Sequence, residues 1–224
     1  MNKLAATLFL LTAPLVCPAQ DEAPATPITR PSGTMRWTLT FRDSPPFPQA
    51  GNNPYQVASI DISRSDQISR ELVTFRNGEK QEYWRSGNTL FGFDAATKRL
   101  NVLAEDPISP PYSYSSPGFY GLDQVQLSHD QGVAEFDGAR CLYFKGVRKA
   151  GVTGSFDSEV VNSAPSGYEA WFDWKTGLPK AYRENGRTLL YTFFPLPEEP
   201  GLPSEVRDAW ERHVANLKAM GLAP

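Results

Sequence analysis

Apolar and polar residues alternate over short stretches along most of this chain. In the segment 35–42 the odd positions Met35, Trp37, Leu39 and Phe41 are apolar and the residues between them are polar. Successive side chains of a strand point to opposite faces, so this period of two predicts a strand with one buried face and one solvated face. Ten further segments are predicted as strands: 55–63, 68–76, 79–85, 89–93, 99–104, 133–136, 139–145, 168–173, 178–184 and 188–194.

Tight turns separate many of these segments. Asn77-Gly78 is the dipeptide that best accepts the two positive-φ positions of a type I′ hairpin turn, and Asn185-Gly186 repeats it. No helical period lies between the predicted strands, so neighbours should pair antiparallel. The pattern predicts a mostly β fold built as a single antiparallel meander. Spacing alone leaves a closed barrel, a sandwich and an open half-barrel as alternatives.

One α-helix is predicted near the C-terminus, over 204–220. Ser204 provides its start, Glu205 places negative charge in the first turn, and Gly221 ends it. A stripe at three- and four-residue spacing should pack against the sheet. It comprises Val206, Trp210, His213, Val214 and Leu217.

The N-terminal segment 1–19 has the features of a secretory signal peptide. A short positive start precedes the apolar run 4–16, which is too short for a membrane span, and the small residue Ala19 marks a cleavage site. We therefore expect a periplasmic or secreted protein. Lipid anchoring at Cys17 is the alternative, but Val16 stands where a lipobox requires a small residue, so cleavage after Ala19 is preferred.

The rest of the chain divides into a tether and one domain. Residues 20–33 are rich in Pro, Ala, Thr and charge, which predicts a disordered tether. Residues 34–224 are enough for a single β-rich domain. The formal net charge is -3 without blocks of like charge, so we expect no nucleic-acid partner. No apolar run after the leader reaches the roughly 18 residues of a membrane span, so none is expected.

Few residues offer catalytic chemistry. His129 lies in a polar run, and the adjacent Asp130 would point away from it on an extended chain. Cys141 has its neighbouring cation on the opposite strand face, which predicts an inert thiol. Motifs for nucleophiles, phosphates, dinucleotides and metal ions do not occur in the sequence. We expect no catalytic residue, metal or cofactor, although two carboxylates from distant strands would leave no local signature.

The segment 106–120 combines four prolines with several aromatic residues. Long irregular segments in compact domains are often lids or binding loops. The alternative is an Ω-loop whose aromatic side chains cover one end of the core. Aromatic residues on strands offer further stacking surfaces. The candidate ligand-binding residues are Tyr112, Tyr114, Phe119, Tyr120, Trp37 and Trp171.

Two stretches resemble the outer-membrane lipoprotein carrier superfamily, the LolA-like proteins. The first, SGNTLFGFDAATKRLNV at 86–102, is similar to the family's strand that ends in an Asp-x-x-x-Lys turn before the next strand. The second, AWFDWKTGLPK at 170–180, is similar to the family's apolar strand, Asp, Thr-Gly turn and Leu-Pro, which leads to a strand ending at Tyr191-Thr192-Phe193.

The resemblance implies an open, curved half-barrel whose apolar concave face is closed by helices or loops. It also implies binding of an apolar small molecule or a lipidated protein. This chain has no amphipathic helix before its first strand, and it has the proline-rich segment where a helical lid is expected. The leading hypothesis is an exported, non-catalytic binding protein of the cell envelope. The alternatives are a secreted hydrolase or carbohydrate-binding module that uses surface aromatics, and an envelope scaffold without a small ligand.

Overall fold

The computed structural model describes residues 24–42, 56–65, 68–86, 89–94, 97–104, 119–148, 151–154, 160–163, 165–195 and 202–221. The predicted leader, Tyr112 and Tyr114 lie outside these ranges. The strands and the helix are β1 (Met35–Arg42), β2 (Val57–Arg64), β3 (Ile68–Phe75), β4 (Lys80–Ser86), β5 (Thr89–Asp94), β6 (Arg99–Ala104), β7 (Asp130–Phe136), β8 (Ala139–Arg148), β9 (Gly151–Gly154), β10 (Val160–Ser163), β11 (Ser166–Asp173), β12 (Pro179–Glu184), β13 (Arg187–Phe193) and α1 (Ser204–Ala219).

Eleven of these strands form one open antiparallel sheet, in the order β6-β5-β4-β3-β2-β1-β13-β12-β11-β8-β7. The remaining strands, β9 and β10, pair as a separate hairpin. The mostly β fold, the unclosed sheet and the C-terminal helix are thus confirmed. Each strand predicted from the alternation corresponds to one strand of the large sheet, whereas the β9-β10 hairpin was not predicted.

The strand order shows that the chain builds the sheet from two halves. Strands β1 to β6 follow one another to one edge, and the chain then crosses to the opposite edge, where β7 begins. It returns through β8, β11 and β12 to β13, which pairs with β1 in a register that places Leu39 opposite Tyr191. The described end of the crossing, 119–129, contains two 3-10 turns, Leu122–Gln124 and Leu127–His129.

Two hairpin turns illustrate how loop length selects turn chemistry. Asn185 and Gly186 both have positive φ, 50° and 75°, as a two-residue type I′ turn requires. At the other predicted type I′ turn only Gly78 has positive φ, 85°. There the Phe75 N–H donates to the Glu79 carbonyl, so the loop contains three residues and needs a single left-handed position.

The large sheet has two differently covered faces. The Trp37 face carries Trp37, Leu39, Ile60 and Tyr191 within the largest buried cluster. The Trp171 face carries a smaller buried cluster around Trp171. Helix α1 packs on the Trp171 face at the β4–β6 end, where the rings of Phe91 and Trp210 stack at 5.1 Å.

The described part of the predicted tether lies against the body of the domain. The Ala25 N–H donates to the Trp174 carbonyl at 3.1 Å, and the Ile28 N–H donates to the Gly177 carbonyl at 2.8 Å. These bonds hold residues 25–28 beside the turn between β11 and β12 without adding a strand to the sheet.

Candidate functional site

Large apolar side chains line the Trp37 face on both sides of the β1-β13 junction. Leu39 lies opposite Tyr191 on one side and opposite Ile60 on the other, and Ile60 in turn lies opposite Val73. Directly opposed residues of antiparallel strands share a face, so these side chains form one apolar row across four strands. Each side chain of this row is 8 % exposed or less, which shows that the face is covered.

The covering element is residues 119–129, here called the cover segment. The Phe119 side chain is 0 % exposed and inserts among three aromatic rings of the sheet. Its ring centroid lies 5.1 Å from that of Trp37, 5.7 Å from that of Phe193 and 6.2 Å from that of Tyr191, in edge-to-face arrangements. Leu122 is also fully buried in the same cluster, so the cover segment supplies part of the core.

Side-chain hydroxyl groups of the sheet hold the cover segment in place. The Tyr191 hydroxyl donates to the Tyr120 carbonyl, and the Tyr168 hydroxyl donates to the Gln124 carbonyl at 3.0 Å. The backbone N–H of Phe119 donates to the Thr29 carbonyl at 3.1 Å, outside the sheet. These are isolated bonds rather than a β-ladder, so the strand pairs of the described sheet do not include residues 119–129.

His129 completes the attachment at the far end of the cover segment. Its Nδ1 lies 2.5 Å from the Tyr168 hydroxyl oxygen. Because the single hydroxyl hydrogen is directed to the Gln124 carbonyl, Nδ1 is the donor in this second bond. Burial raises the pKa of Tyr168, which keeps the hydroxyl protonated. The sequence analysis did not find this contact, because Tyr168 lies 39 residues further along the chain.

The backbone of the cover segment runs flat against Tyr182. Gly121 has a φ of 82°, and a Cβ added there would lie 2.9 Å from Cδ1 of the Tyr182 ring. Burial raises the pKa of Tyr182, and the Glu184 carboxylate, which accepts the Tyr182 hydroxyl hydrogen at 2.9 Å, raises it further. Tyr182 is therefore a fixed, neutral platform beneath the cover segment.

Three of the predicted ligand-binding residues come together here. Trp37 and Phe119 are in ring contact, and Tyr120, which is 46 % exposed, follows at the margin of the cover segment. Trp171 lies on the opposite face of the sheet. Tyr112 and Tyr114 lie outside the described residues.

Neighbouring side chains of the same protein pack against the Trp171 ring. Its ring centroid lies 4.9 Å from that of Phe136 and 5.4 Å from that of Tyr143, and the Arg183 guanidinium lies 5.2 Å from it. Burial and the hydrogen bond that the Tyr143 hydroxyl donates to Glu169 raise the pKa of Tyr143 to about 12. This cluster is a closed aromatic and ionic stack, with Trp171 itself 7 % exposed.

The sequence reasoning missed a polar row on the Trp37 face. Arg64 lies opposite Ser69, and Ser69 lies opposite Arg85. Arg64 and Ser69 are each 4 % exposed. Arg64 is in phase with Ile60 and Ile62, so extending the alternation by one residue would have placed it on the buried face.

The described part of the chain contains neither a candidate metal-ion cluster nor a candidate membrane-spanning helix. Within the ranges that the structure describes, no group of three or more His, Cys, Asp or Glu residues is placed to hold a metal ion. In the same part of the chain, no helix has the length and apolar character needed to cross a membrane.

The geometry defines a class of fold, namely an open antiparallel half-barrel with a cover segment over one face and a C-terminal helix on the other. Among solved structures, the Mycobacterium tuberculosis lipoprotein LppX is similar, with a TM-score of 0.43 and 8% sequence identity over 77% of this chain and 90% of that chain. A LolA superfamily protein from Nitrosomonas europaea is also similar, with a TM-score of 0.36 and 10% identity over 80% of this chain and 91% of that chain. No protein-family model and no curated protein matches the sequence.

Proposed function

We propose that this protein is an exported, non-catalytic binding protein that holds an apolar ligand, or the acyl chain of a lipidated partner, on the Trp37 face. The apolar row of that face supplies the binding surface. The cover segment supplies a removable closure, because it is attached by isolated hydrogen bonds and by inserted side chains.

The insertion of Phe119 is the observation that carries this proposal. Its ring fills an aromatic pocket formed by Trp37, Tyr191 and Phe193. An acyl chain that entered this pocket would make the same apolar contacts, so Phe119 acts as a stand-in for the ligand. In this proposal the ligand displaces the Phe119 ring and contacts Trp37 and Tyr120, and Tyr112 and Tyr114 are proposed to extend the contact along the same loop.

The free energies of apolar burial are compatible with replacement of the Phe119 ring by a ligand. Burying a Phe side chain contributes about 3 kcal/mol, and each buried CH₂ group contributes about 0.8 kcal/mol. About four methylene groups therefore match the contribution of Phe119, and a longer chain exceeds it. Within the described residues the buried Trp37 Nε1 has no hydrogen-bond partner, which leaves one donor for a polar atom of the ligand.

A titration with a fluorescent fatty acid tests the proposal. We expect wild-type protein to bind the probe and the Phe119→Ala variant to bind it about tenfold more tightly, because the variant no longer occupies its own pocket. Phe136→Ala is the matched control, since Phe136 packs on the Trp171 face. Absence of probe binding to both wild type and Phe119→Ala would contradict the proposal.

A further inference from the structure

Residues 25–31, here called the strap, lie along the domain with one side turned toward it. Ala25, Pro27 and Thr29 are half-buried and Pro31 is buried, whereas the residues between them are exposed. A period of two is that of an extended chain that rests on a surface. Proline fixes its own φ, so Pro27 and Pro31 reduce the conformational entropy that the strap loses when it is ordered.

The turn between β11 and β12 holds the strap through two of its carbonyl groups. The Trp174 carbonyl accepts the Ala25 N–H at 3.1 Å. The Gly177 carbonyl accepts the Ile28 N–H at 2.8 Å. The turn itself is fixed by the Asp173 carboxylate, which accepts two backbone N–H groups of the turn at 3.1 and 2.9 Å. The strap therefore rests on a preformed surface.

The strap also requires a glycine beneath it. Gly177 is buried with a φ of 69°, and a Cβ added there would collide with the Thr26 carbonyl oxygen. The colliding atom belongs to the backbone, so no side-chain rotation relieves the contact. Gly138, in the turn between β7 and β8, has a φ of 74°, but an added Cβ would meet no atom within 4 Å. Both positions favour glycine for their φ, and Gly177 is in addition fitted to the strap.

The far end of the strap fastens the cover segment. The Thr29 carbonyl accepts the Phe119 N–H at 3.1 Å. This bond joins the strap to the residue whose ring fills the aromatic pocket beside Trp37. At the next residue the Tyr191 hydroxyl donates to the Tyr120 carbonyl, so the strap and the sheet hold adjacent residues of the cover segment. The strap thus connects the turn between β11 and β12 to the pocket on the Trp37 face.

We propose that the strap controls access to the Trp37 face. While it is seated on the turn it holds Phe119 in the aromatic pocket, and when it leaves the turn Phe119 is released and the pocket opens. The inference rests on the proposed function for what then enters the pocket, whereas the fastening of Phe119 requires no ligand. The segment that follows the predicted leader is, in this proposal, a regulatory element and not a spacer.

Residue-resolved amide hydrogen exchange tests the fastening without a ligand. We expect Ile28→Pro, which removes the N–H donated to Gly177, to accelerate exchange of the Phe119 amide about fivefold, the factor that one hydrogen bond contributes. Ile28→Ala keeps that N–H and should exchange as wild type does. Gly177→Ala should accelerate exchange about tenfold or more, because it forces the strap off the turn. Gly138→Ala carries the same backbone strain without the collision and should leave the Phe119 amide unchanged.

Three results would overturn the strap proposal. The first is an unchanged exchange rate of the Phe119 amide in both Ile28→Pro and Gly177→Ala. The second is an equal acceleration in the matched controls, which would assign the effect to the lost side chain or to backbone strain. The third is faster exchange throughout the sheet strands, which would show general destabilisation.

Titration with parinaric acid, a fluorescent fatty acid, separates this proposal from the proposed function. We expect Ile28→Pro and Gly177→Ala to bind the probe about fivefold more tightly than wild type, because Phe119 no longer competes for the pocket. Probe binding with the same affinity in wild type and both variants would overturn the strap proposal and leave the proposed function intact. Faster Phe119 exchange without probe binding in any of the proteins would overturn the proposed function and leave only the fastening of the cover segment.

Discussion

His129, Tyr168 and Gly146 show how closely the cover segment is fitted at the level of single residues. A Cβ added to Gly146 would lie 2.6 Å from His129 Nδ1 and 2.7 Å from the Tyr168 hydroxyl oxygen. Such distances are too short for any real contact. Because Gly146 on β8 has no side chain, it leaves the space in which the hydrogen bond between His129 and Tyr168 forms.

Gly146→Ala should therefore separate His129 from Tyr168 and destabilise the protein by about 1–3 kcal/mol, the usual cost of overpacking a buried site. Urea unfolding of the two proteins measures the difference. Gly167→Ala on β11 is the matched control, because an added Cβ there meets no atom within 4 Å. Equal loss of stability in both variants would show that strand glycine content, rather than the His129 contact, sets the cost.

Asp173 stabilises the turn between β11 and β12 in its charged form. Partial burial works to raise the pKa of Asp173, but hydrogen bonds from the Thr176 N–H and hydroxyl and from the Lys175 N–H, with the charge of Lys180, outweigh it and lower the pKa. A carboxyl whose pKa is lowered in the folded state stabilises the protein above its unfolded pKa of about 3.9. That contribution is lost as the pH falls through the lowered folded-state value.

We accordingly expect Asp173→Asn to cost about 1 kcal/mol in free energy of unfolding at pH 7 and progressively less as the solution is acidified. Below the lowered pKa the wild type is protonated too, and the two stabilities should converge. Chemical unfolding from pH 7 down to pH 2 measures this. A difference that stayed constant across the whole range would exclude the charge as its origin.

At the level of single elements, the strands were predictable because their buried face repeats every second residue. In β1 the pattern MRWTLTFR fixes both the strand and the face that Trp37 shares with Leu39. The strands β9 and β10 have four residues each, which is too few to establish a period. The polar row was missed for another reason: Arg64 and Ser69 interrupt an apolar face, and composition alone assigns such residues to solvent.

The cover segment is an element whose attachment depends on two tyrosine hydroxyls, so Tyr191→Phe and Tyr168→Phe should loosen it selectively. Loss of either hydroxyl's hydrogen bond should cost about 1 kcal/mol of stability. Amide hydrogen exchange in 120–126 should accelerate while the sheet strands keep their protection. Tyr143→Phe removes a hydroxyl bond from the Trp171 face and serves as control. Faster exchange throughout the sheet would show that the cover segment does not open independently.

On the scale of the whole molecule, the crossing between the two sheet edges creates the candidate site. Local sequence patterns do not encode this site, because it depends on the pairing of β1 with β13, two strands that lie far apart in the sequence. The sequence identified Phe119 as a candidate residue, but not its position on the Trp37 face. That position needed the strand order, which brings Trp37 and Phe193 to the same pocket.

Export is a separate property of the whole molecule. Cleavage of the predicted leader after Ala19 should give a mature chain that begins at Gln20. N-terminal sequencing of the protein from its native host measures this directly. A chain that begins at a lipid-modified Cys17 would instead favour a membrane-anchored form.

The most direct measurement is native mass spectrometry of the protein purified from its own cell envelope under mild conditions. We expect a bound molecule that contains at least one long acyl chain and that is displaced by excess hexadecanoate. Protein that is consistently empty, and that stays empty when offered hexadecanoate, would contradict the assignment of the Trp37 face as a binding surface.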